Sequence, residues 1–347
     1  VLAELEQRAD ALEGRSIETV YFGGGTPSLW GAEHIAVVVA EAAARASSPL
    51  REVTVEANPE DLDLDLATAL RAAGVDRLSL GIQSFDDETL RVLGRHHTGA
   101  AARAAVAVAR AAGFERVSVD LIYAVPGEPA DRLARDLDAI AALGDAVEHV
   151  SAYELTFEPG TALTARVERG LLAPQDEDLR FRAGVQASRA LGALGFERYE
   201  VSSFARPGAA SRHNRSYWSG DEYLGLGVGA HSLAVSTARV ERSANGRNLR
   251  RFLDGRREKF VERLDPCVHL AELVMLGVRT SRGVDFASLE LRFGVARVAA
   301  FEELAGRWQA AGHGRMEHRV FVPNPESLDL ADLLGGESIA LANEVSI

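Results

Sequence analysis

Between Thr19 and Leu155, short apolar runs alternate with longer stretches in which Ala, Leu and Arg recur at helical spacing. The short runs predict strands over Thr19–Phe22, Glu52–Glu56, Arg77–Gly81, Arg116–Leu121 and His149–Tyr153. The stretches between them predict helices over Ala32–Ala46, Leu64–Ala73, Ala100–Ala112 and Pro129–Ala142. Repeated strand-then-helix units call for a parallel sheet with helices outside it, as an open doubly wound sheet or as a full or partial barrel. Asp86 and Asp87 ahead of Glu88–Leu93, and Thr98 ahead of Gly99–Ala112, have the side chains that cap helix N-termini.

The ends of the chain depart from this rhythm. Val1–Leu12 reads as an amphipathic helix with no capping residue before it, so a strand and its loop are expected to have preceded Val1. After Leu155 the pattern predicts a turn at Phe157–Thr161, a long helix over Asp176–Leu194, a strand at Arg198–Val201 and a flexible glycine-rich stretch at Gly225–Gly229. Leu270–Val278, Phe286–Phe293 and Phe301–Ala311 read as helices and Arg319–Val322 as a short strand, a small mixed appendage of winged-helix type. The expected domains are therefore residues 1–235, a partial barrel with its extension, and residues 264–347, the appendage.

Composition narrows the classes. With 347 residues, 47% of them apolar, the chain can bury a full core. A formal charge of −13 argues against non-specific nucleic-acid binding. No apolar run is long enough to span a bilayer and no signal peptide is visible, so a cytoplasmic location is expected. The single cysteine, Cys267, excludes intrachain disulfides and any all-cysteine metal or cluster site within this sequence.

The chemistry gathers at the predicted strand ends, where ligands sit in parallel strand–helix folds. The first strand runs into Gly23-Gly24-Gly25-Thr26-Pro27, a turn whose uncovered backbone lets a ligand approach the main chain closely. The next strands end at Glu56, at Gly81-Ile82-Gln83-Ser84, at Asp120 and at Tyr153-Glu154. Four successive polar endings suit a ligand rich in hydroxyl, amine and carboxyl groups. Arg95 closes a helix near the same mouth, where it serves the helix dipole or pairs with a ligand carboxylate. A second cluster, Arg212-His213-Asn214-Arg215-Ser216-Tyr217-Trp218, has two readings: a packed aromatic corner, or a flat porphyrin-like pocket with His213 reaching a metal. His231 is a further candidate, while His269 and the stretch His313–His318 read as surface.

Taken together, YFGGGTPS, VEANPEDL, LSLGIQSFDDETLRVLGRHHT, VSVDLIYAVPGE, HVSAYELTFEPGTAL, RYEVSSFA, RHNRSYW and YLGLGVGAHS occur in one order across Val1–Leu233. They resemble the radical S-adenosylmethionine family of oxygen-independent coproporphyrinogen oxidases, and RHNRSYW points to its haem-chaperone branch, HemW. The resemblance implies an incomplete (β/α)6 TIM-like barrel lacking its first strand, followed by a small C-terminal mixed domain. It implies S-adenosylmethionine at Gly24, Gly25, Thr26, Glu56, Gln83, Arg95 and Asp120, a second cofactor molecule near Glu154 and His231, and haem at His213. Haem and a haem-dependent client protein become the expected partners, with clients at a membrane and a homodimer both left open.

One family feature is missing. The [4Fe–4S] cluster is expected on three cysteines spaced CxxxCxxC, in a loop that would lie before Val1, and Cys267 cannot replace them. No catalytic residue is assigned, and radical chemistry is not expected of the sequence as it stands. The runner-up activity is oxidative decarboxylation of coproporphyrinogen III in porphyrin biosynthesis, and a barrel that has kept only binding surfaces is a third reading.

Overall fold

A computed structural model describes residues 1–236, 239–256 and 259–345. The chain divides into two compact units, Ile17–His213 and Val1–Ser16 with Asn214–Ile347. These boundaries differ from the expected 1–235 and 264–347, because residues 1–16 and 214–235 group with the C-terminal part.

The unit Ile17–His213 is built on a seven-stranded sheet in the order β1-β2-β3-β4-β5-β7-β6. Its strands are β1 (Thr19–Phe22), β2 (Glu52–Ala57), β3 (Arg77–Gln83), β4 (Arg116–Tyr123), β5 (His149–Glu154), β6 (Glu197–Arg198) and β7 (Ser203–Ala205). Strands β1 to β5 are parallel, whereas β7 runs antiparallel to β5 and to β6. After the N-terminal α1 (Leu2–Gln7) come α2 (Ala32–Arg45), α3 (Leu64–Ala72), α4 (Asp87–Val92), α5 (Gly99–Ala111), α6 (Arg132–Leu143), α7 (Ala162–Glu168) and α8 (Glu177–Ala193). Side-chain caps start α3, α4 and α5 at Asp63, Asp86 and Thr98. The predicted helix over Pro129–Ala142 starts later, at Arg132, since Pro129 forms a turn whose carbonyl accepts the Arg132 N–H.

Successive strand residues face opposite sides, and here the two sides differ in chemistry. One side carries Val53, Val55, Leu78, Leu80, Ile82, Val117, Val119 and Val150, packed with Ile35, Leu70, Val106, Leu137 and Ile140 of the helices into one core. The other carries Thr19, Tyr21, Glu52, Thr54, Glu56, Arg77, Ser79, Ser118, Asp120, His149 and Ser151. Most of these polar residues are also buried, Glu52, Thr54 and Arg77 almost completely. A buried polar strand face needs internal partners, and those partners define the sites described below.

The expected strand at Arg198–Val201 shrinks to Glu197–Arg198. The chain turns there because the Arg198 guanidinium donates to the Val201 carbonyl and the Ser202 N–H to Glu200. The three-residue β7 that follows pairs with β5.

The second unit holds two further sheets. In the first, β8 (His231–Val235), β9 (Val240–Asn245) and β10 (Lys259–Leu264) are antiparallel in the order β10-β9-β8. After α9 (Arg212–Trp218) and α10 (Leu249–Leu253) come α11 (Pro266–Gly277), β11 (Val284–Asp285), α12 (Phe286–Phe293), α13 (Val295–Ala310), β12 (Gly314–Glu317), β13 (Val320–Pro323) and α14 (Ala331–Val345). From α11 to β13 this is the helix–strand–helix–helix–strand–strand order of a winged helix, with the sheet ordered β11-β13-β12. Leu270, Val274, Phe286, Phe301, Trp308, Phe321 and Leu334 fill its core.

Two sequence expectations fail in this unit. His269 is not a surface residue but is buried, edge-on to Phe293 at 5.6 Å. Burial, with Arg292 and Arg242 nearby, pulls its imidazole down to about 4. Gly225–Gly229 is held rather than free. Arg8 donates to the Gly225 carbonyl at 2.7 Å and to Ser232 at 3.0 Å, and buried Glu4 accepts from the Gly227 N–H at 2.8 Å and from Asn245 at 2.7 Å.

Candidate functional site

The glycine turn after β1 is shaped by what lies beside it. A Cβ on Gly23 would come 2.5 Å from the Tyr21 ring and 2.9 Å from the Glu56 carboxylate, so only glycine fits. Gly24 and Gly25 take left-handed φ values of 82° and 75°, with open space beyond both. The turn is tied to β2 through Glu56, which accepts from the Gly24 N–H at 3.0 Å and from the Tyr21 hydroxyl at 2.5 Å. Burial and the Glu56 charge raise the Tyr21 hydroxyl well above its ordinary range, keeping it a proton donor. Two residues past Glu56, Asn58 donates to Thr26 Oγ1 at 3.0 Å and fixes the far end of the turn.

At the end of β3, Gln83 is buried and left-handed, with φ 67°. A Cβ on Gly81 would lie 3.1 Å from Gln83 Nε2 and 3.7 Å from Asn58 Oδ1, so the Gln83 amide lies over Gly81 and beside Asn58. His97, which sequence reasoning passed over, secures this strand end: its imidazole bridges the Ile82 carbonyl at 2.9 Å and Glu60 at 3.0 Å.

Asp120 completes the cluster from β4. Burial, together with the charge of Glu56, pushes its carboxyl up to about 7, although Ser151, Ser79 and Arg95 favour the ionised form. The charges of Glu56 and Arg95 thus both act on the Asp120 carboxyl. Two carboxylates, a threonine hydroxyl and a carboxamide make an acceptor-rich cluster on which the Arg95 charge also acts. That donor set fits a ligand bearing an ammonium or sulfonium charge with amine and hydroxyl groups. Among the described residues no group of three or more His, Cys, Asp or Glu could hold a metal ion.

A second polar cluster lies where the strands begin. Glu52 accepts from the Ser211 hydroxyl and from the backbone N–H groups of Arg212 and His213, and pairs with Arg77 at 3.3 Å. Burial pushes the Glu52 carboxyl up, but the Arg77 charge and these hydrogen bonds outweigh it and hold it below the usual carboxylate range. The His213 ring stacks on Tyr21 at 4.8 Å, with Nδ1 2.8 Å from Thr19 Oγ1. Burial pulls the His213 imidazole down to about 4 against the Glu52 charge, so the ring is neutral at physiological pH. A neutral imidazole is the form that ligates metals. Tyr21 therefore touches both clusters, Glu56 through its hydroxyl and His213 through its ring.

The model of the radical SAM superfamily matches residues 1–140, and that of the HemN C-terminal domain matches residues 264–321. The heme chaperone HemW of Haemophilus influenzae is 30% identical over 331 residues, covering 90% of this chain and 84% of that protein. The chain belongs to the HemW/HemN-like radical SAM family. The heme chaperone HemW of Mycobacterium tuberculosis is 45% identical over 230 residues, covering 66% of this chain. The chain spans 58% of the length of that relative. Coproporphyrinogen III oxidase (HemN) from Escherichia coli, a radical SAM enzyme, superposes with a TM-score of 0.75 at 19% identity, covering 99% of this chain and 84% of that one. That likeness establishes the radical SAM fold, a parallel α/β sheet with a C-terminal domain.

Set within that family, the residues singled out in the sequence fall into groups. Gly24, Thr26, Glu56, Gln83 and Asp120 lie at or just past the strand ends, with Gly25 in the same turn and the charge of Arg95 acting on Asp120. Glu154 already has a partner, Arg180 of α8, at 2.5 Å. His213 is at the start of the strands, beside Thr19 and Glu52. His231 is exposed on β8 of the other unit. Cys267 is buried in α11, with its thiol 4.0 Å from the Ala342 carbonyl. No described helix is long and apolar enough to cross a membrane.

Proposed function

We propose that this chain binds S-adenosylmethionine at the strand-end cluster and haem with the help of His213, and serves as a haem chaperone that passes haem to a haem-dependent client. The observation that carries the reading is the acceptor-rich cluster around Gly24, Glu56, Gln83 and Asp120, in which the Asp120 carboxyl stays raised to about 7 even with the Arg95 charge acting on it. S-adenosylmethionine brings a sulfonium and an ammonium charge on a hydroxyl-rich body. Glu56 and Asp120 would hold the cationic end, Thr26 and Gln83 would bond neutral polar groups, and Arg95 would take the carboxylate. The neutral, stacked His213 supports the haem half of the reading. The names of the bacterial relatives favour chaperone over oxidase, and a shared fold at 19% identity brings no decarboxylation to this chain. The residues present, with buried Cys267 as their one cysteine, do not fit a [4Fe–4S] cluster.

Calorimetric titration with S-adenosylmethionine, comparing the unaltered chain with Glu56→Gln, tests the first half. An affinity at least about tenfold weaker in the variant is expected for loss of a charged contact. Titration with haem, following the Soret band of the unaltered chain and of His213→Ala, tests the second. Equal affinities within either pair would remove the corresponding assignment.

A further inference from the structure

Helix α6 presents two buried charged residues, Arg132 and Asp136, to the ends of both β3 and β4. Asp136 accepts from the Ser84 hydroxyl at 2.8 Å and from the Phe85 N–H at 2.7 Å, just past the end of β3. It also pairs with Arg132 at 2.8 Å. Arg132 donates to the Ile122 carbonyl in β4 at 3.0 Å and pairs with Glu128, which in turn accepts from the Val125 N–H at 3.0 Å. Two non-glycine residues in this region take the left-handed conformation, Gln83 with φ 67° and Ala124 with φ 63°. Gln83 immediately precedes the pair of residues that Asp136 grips. Ala124 lies between the two residues that Arg132 and Glu128 grip. Left-handed backbone at residues with a Cβ persists only where the surroundings over-determine it.

We infer that Arg132, Asp136 and Glu128 form a clamp that positions the candidate ligand site. By fixing the peptide groups that flank Gln83 and Ala124, the clamp holds both in left-handed geometry and sets the two strand ends in mutual register. At β3 the consequence is direct, because the left-handed turn lays the Gln83 amide over Gly81 and beside Asn58, the partner of Thr26. At β4 the clamp anchors the strand two residues past Asp120. Arg132, Asp136 and Glu128 are positioning residues, and their functional role rests on the S-adenosylmethionine reading above.

The test compares the full chain with Asp136→Asn, Asp136→Glu and the double variant Asp136→Asn/Ala124→Gly. It reads S-adenosylmethionine affinity, thermal midpoint and backbone hydrogen exchange at Phe85 and Val125. For Asp136→Asn, affinity should fall about tenfold, and exchange should accelerate at both amides although Val125 does not touch Asp136. Adding Ala124→Gly relieves one left-handed residue, so the thermal midpoint should recover while the affinity does not. Asp136→Glu should keep part of the affinity. Unchanged affinity in Asp136→Asn despite a lower midpoint would reduce the clamp to a structural brace. Acceleration confined to Phe85 would refute the coupling of the two strand ends. Should the unaltered chain bind no S-adenosylmethionine, the functional reading falls and takes the clamp's role at that site with it, while the exchange data still decide whether the clamp couples the strands.

Discussion

Asp120 shows at the scale of one residue how a binding site differs from a core position. A buried carboxyl raised to about 7 is more easily protonated in the folded protein than in the unfolded chain. Its contribution to stability is therefore fully present below about pH 4 and is lost as the pH rises towards 7, a change on the order of a few kcal/mol. Asp120→Asn removes that dependence, so the variant should gain thermal stability over the unaltered chain at pH 8 and little at pH 4, as scanning calorimetry would show. The same residue should make binding of a cationic ligand strengthen as pH rises from 5.5 to 7.5, with proton release, and Asp120→Asn should flatten that slope. A variant that is more stable at pH 8 yet binds more weakly is the expected signature; matching pH profiles would count against the carboxylate role.

Elements differ in how openly the sequence announces them. Strands β1 to β5 were legible because each is a short stretch rich in apolar residues and bounded by turn residues, and α4 and α5 because Asp86 and Thr98 mark their starts; the Asp63 cap of α3 went unread. The sheet of β8, β9 and β10 escaped notice because no long apolar run marks its strands, and one of them, Lys259–Leu264, is largely exposed. His269 was misplaced although Leu273 follows one turn later on the buried face of α11. The strand-end carboxylates could be read from position alone. The bonds of Glu52 to Ser211 and His213, about 160 residues away, and the α6 grip on Ser84 could not, because they depend on tertiary register. Helix α5 offers a prediction in which packing overrides propensity. Replacing a helical glycine by alanine ordinarily stabilises by about 1 kcal/mol. At Gly99, however, the new Cβ would lie 2.1 Å from the Phe85 carbonyl oxygen. Gly99→Ala should therefore destabilise by about 1–3 kcal/mol in urea unfolding, as overpacked sites do.

For the whole molecule, the division into units joins the first residues of the chain to its last third. The contact is specific: Glu4, 2% exposed, receives hydrogen bonds from the Gly227 N–H and from Asn245, and Arg8 reaches Gly225 and Ser232. Glu4→Ala leaves those buried donors without their acceptor, which costs about 1–3 kcal/mol. Limited proteolysis should then cut faster around Gly225–Gly229 in the variant, with the sheet of Ile17–His213 resisting as before. Unaltered cleavage would mean that the loop is secured by other bonds.

The same attachment has a practical consequence for anyone handling this protein. A label attached at Glu4 or Arg8 would remove the bonds that hold the distant glycine loop in place. Labels belong on residues that make no such bonds.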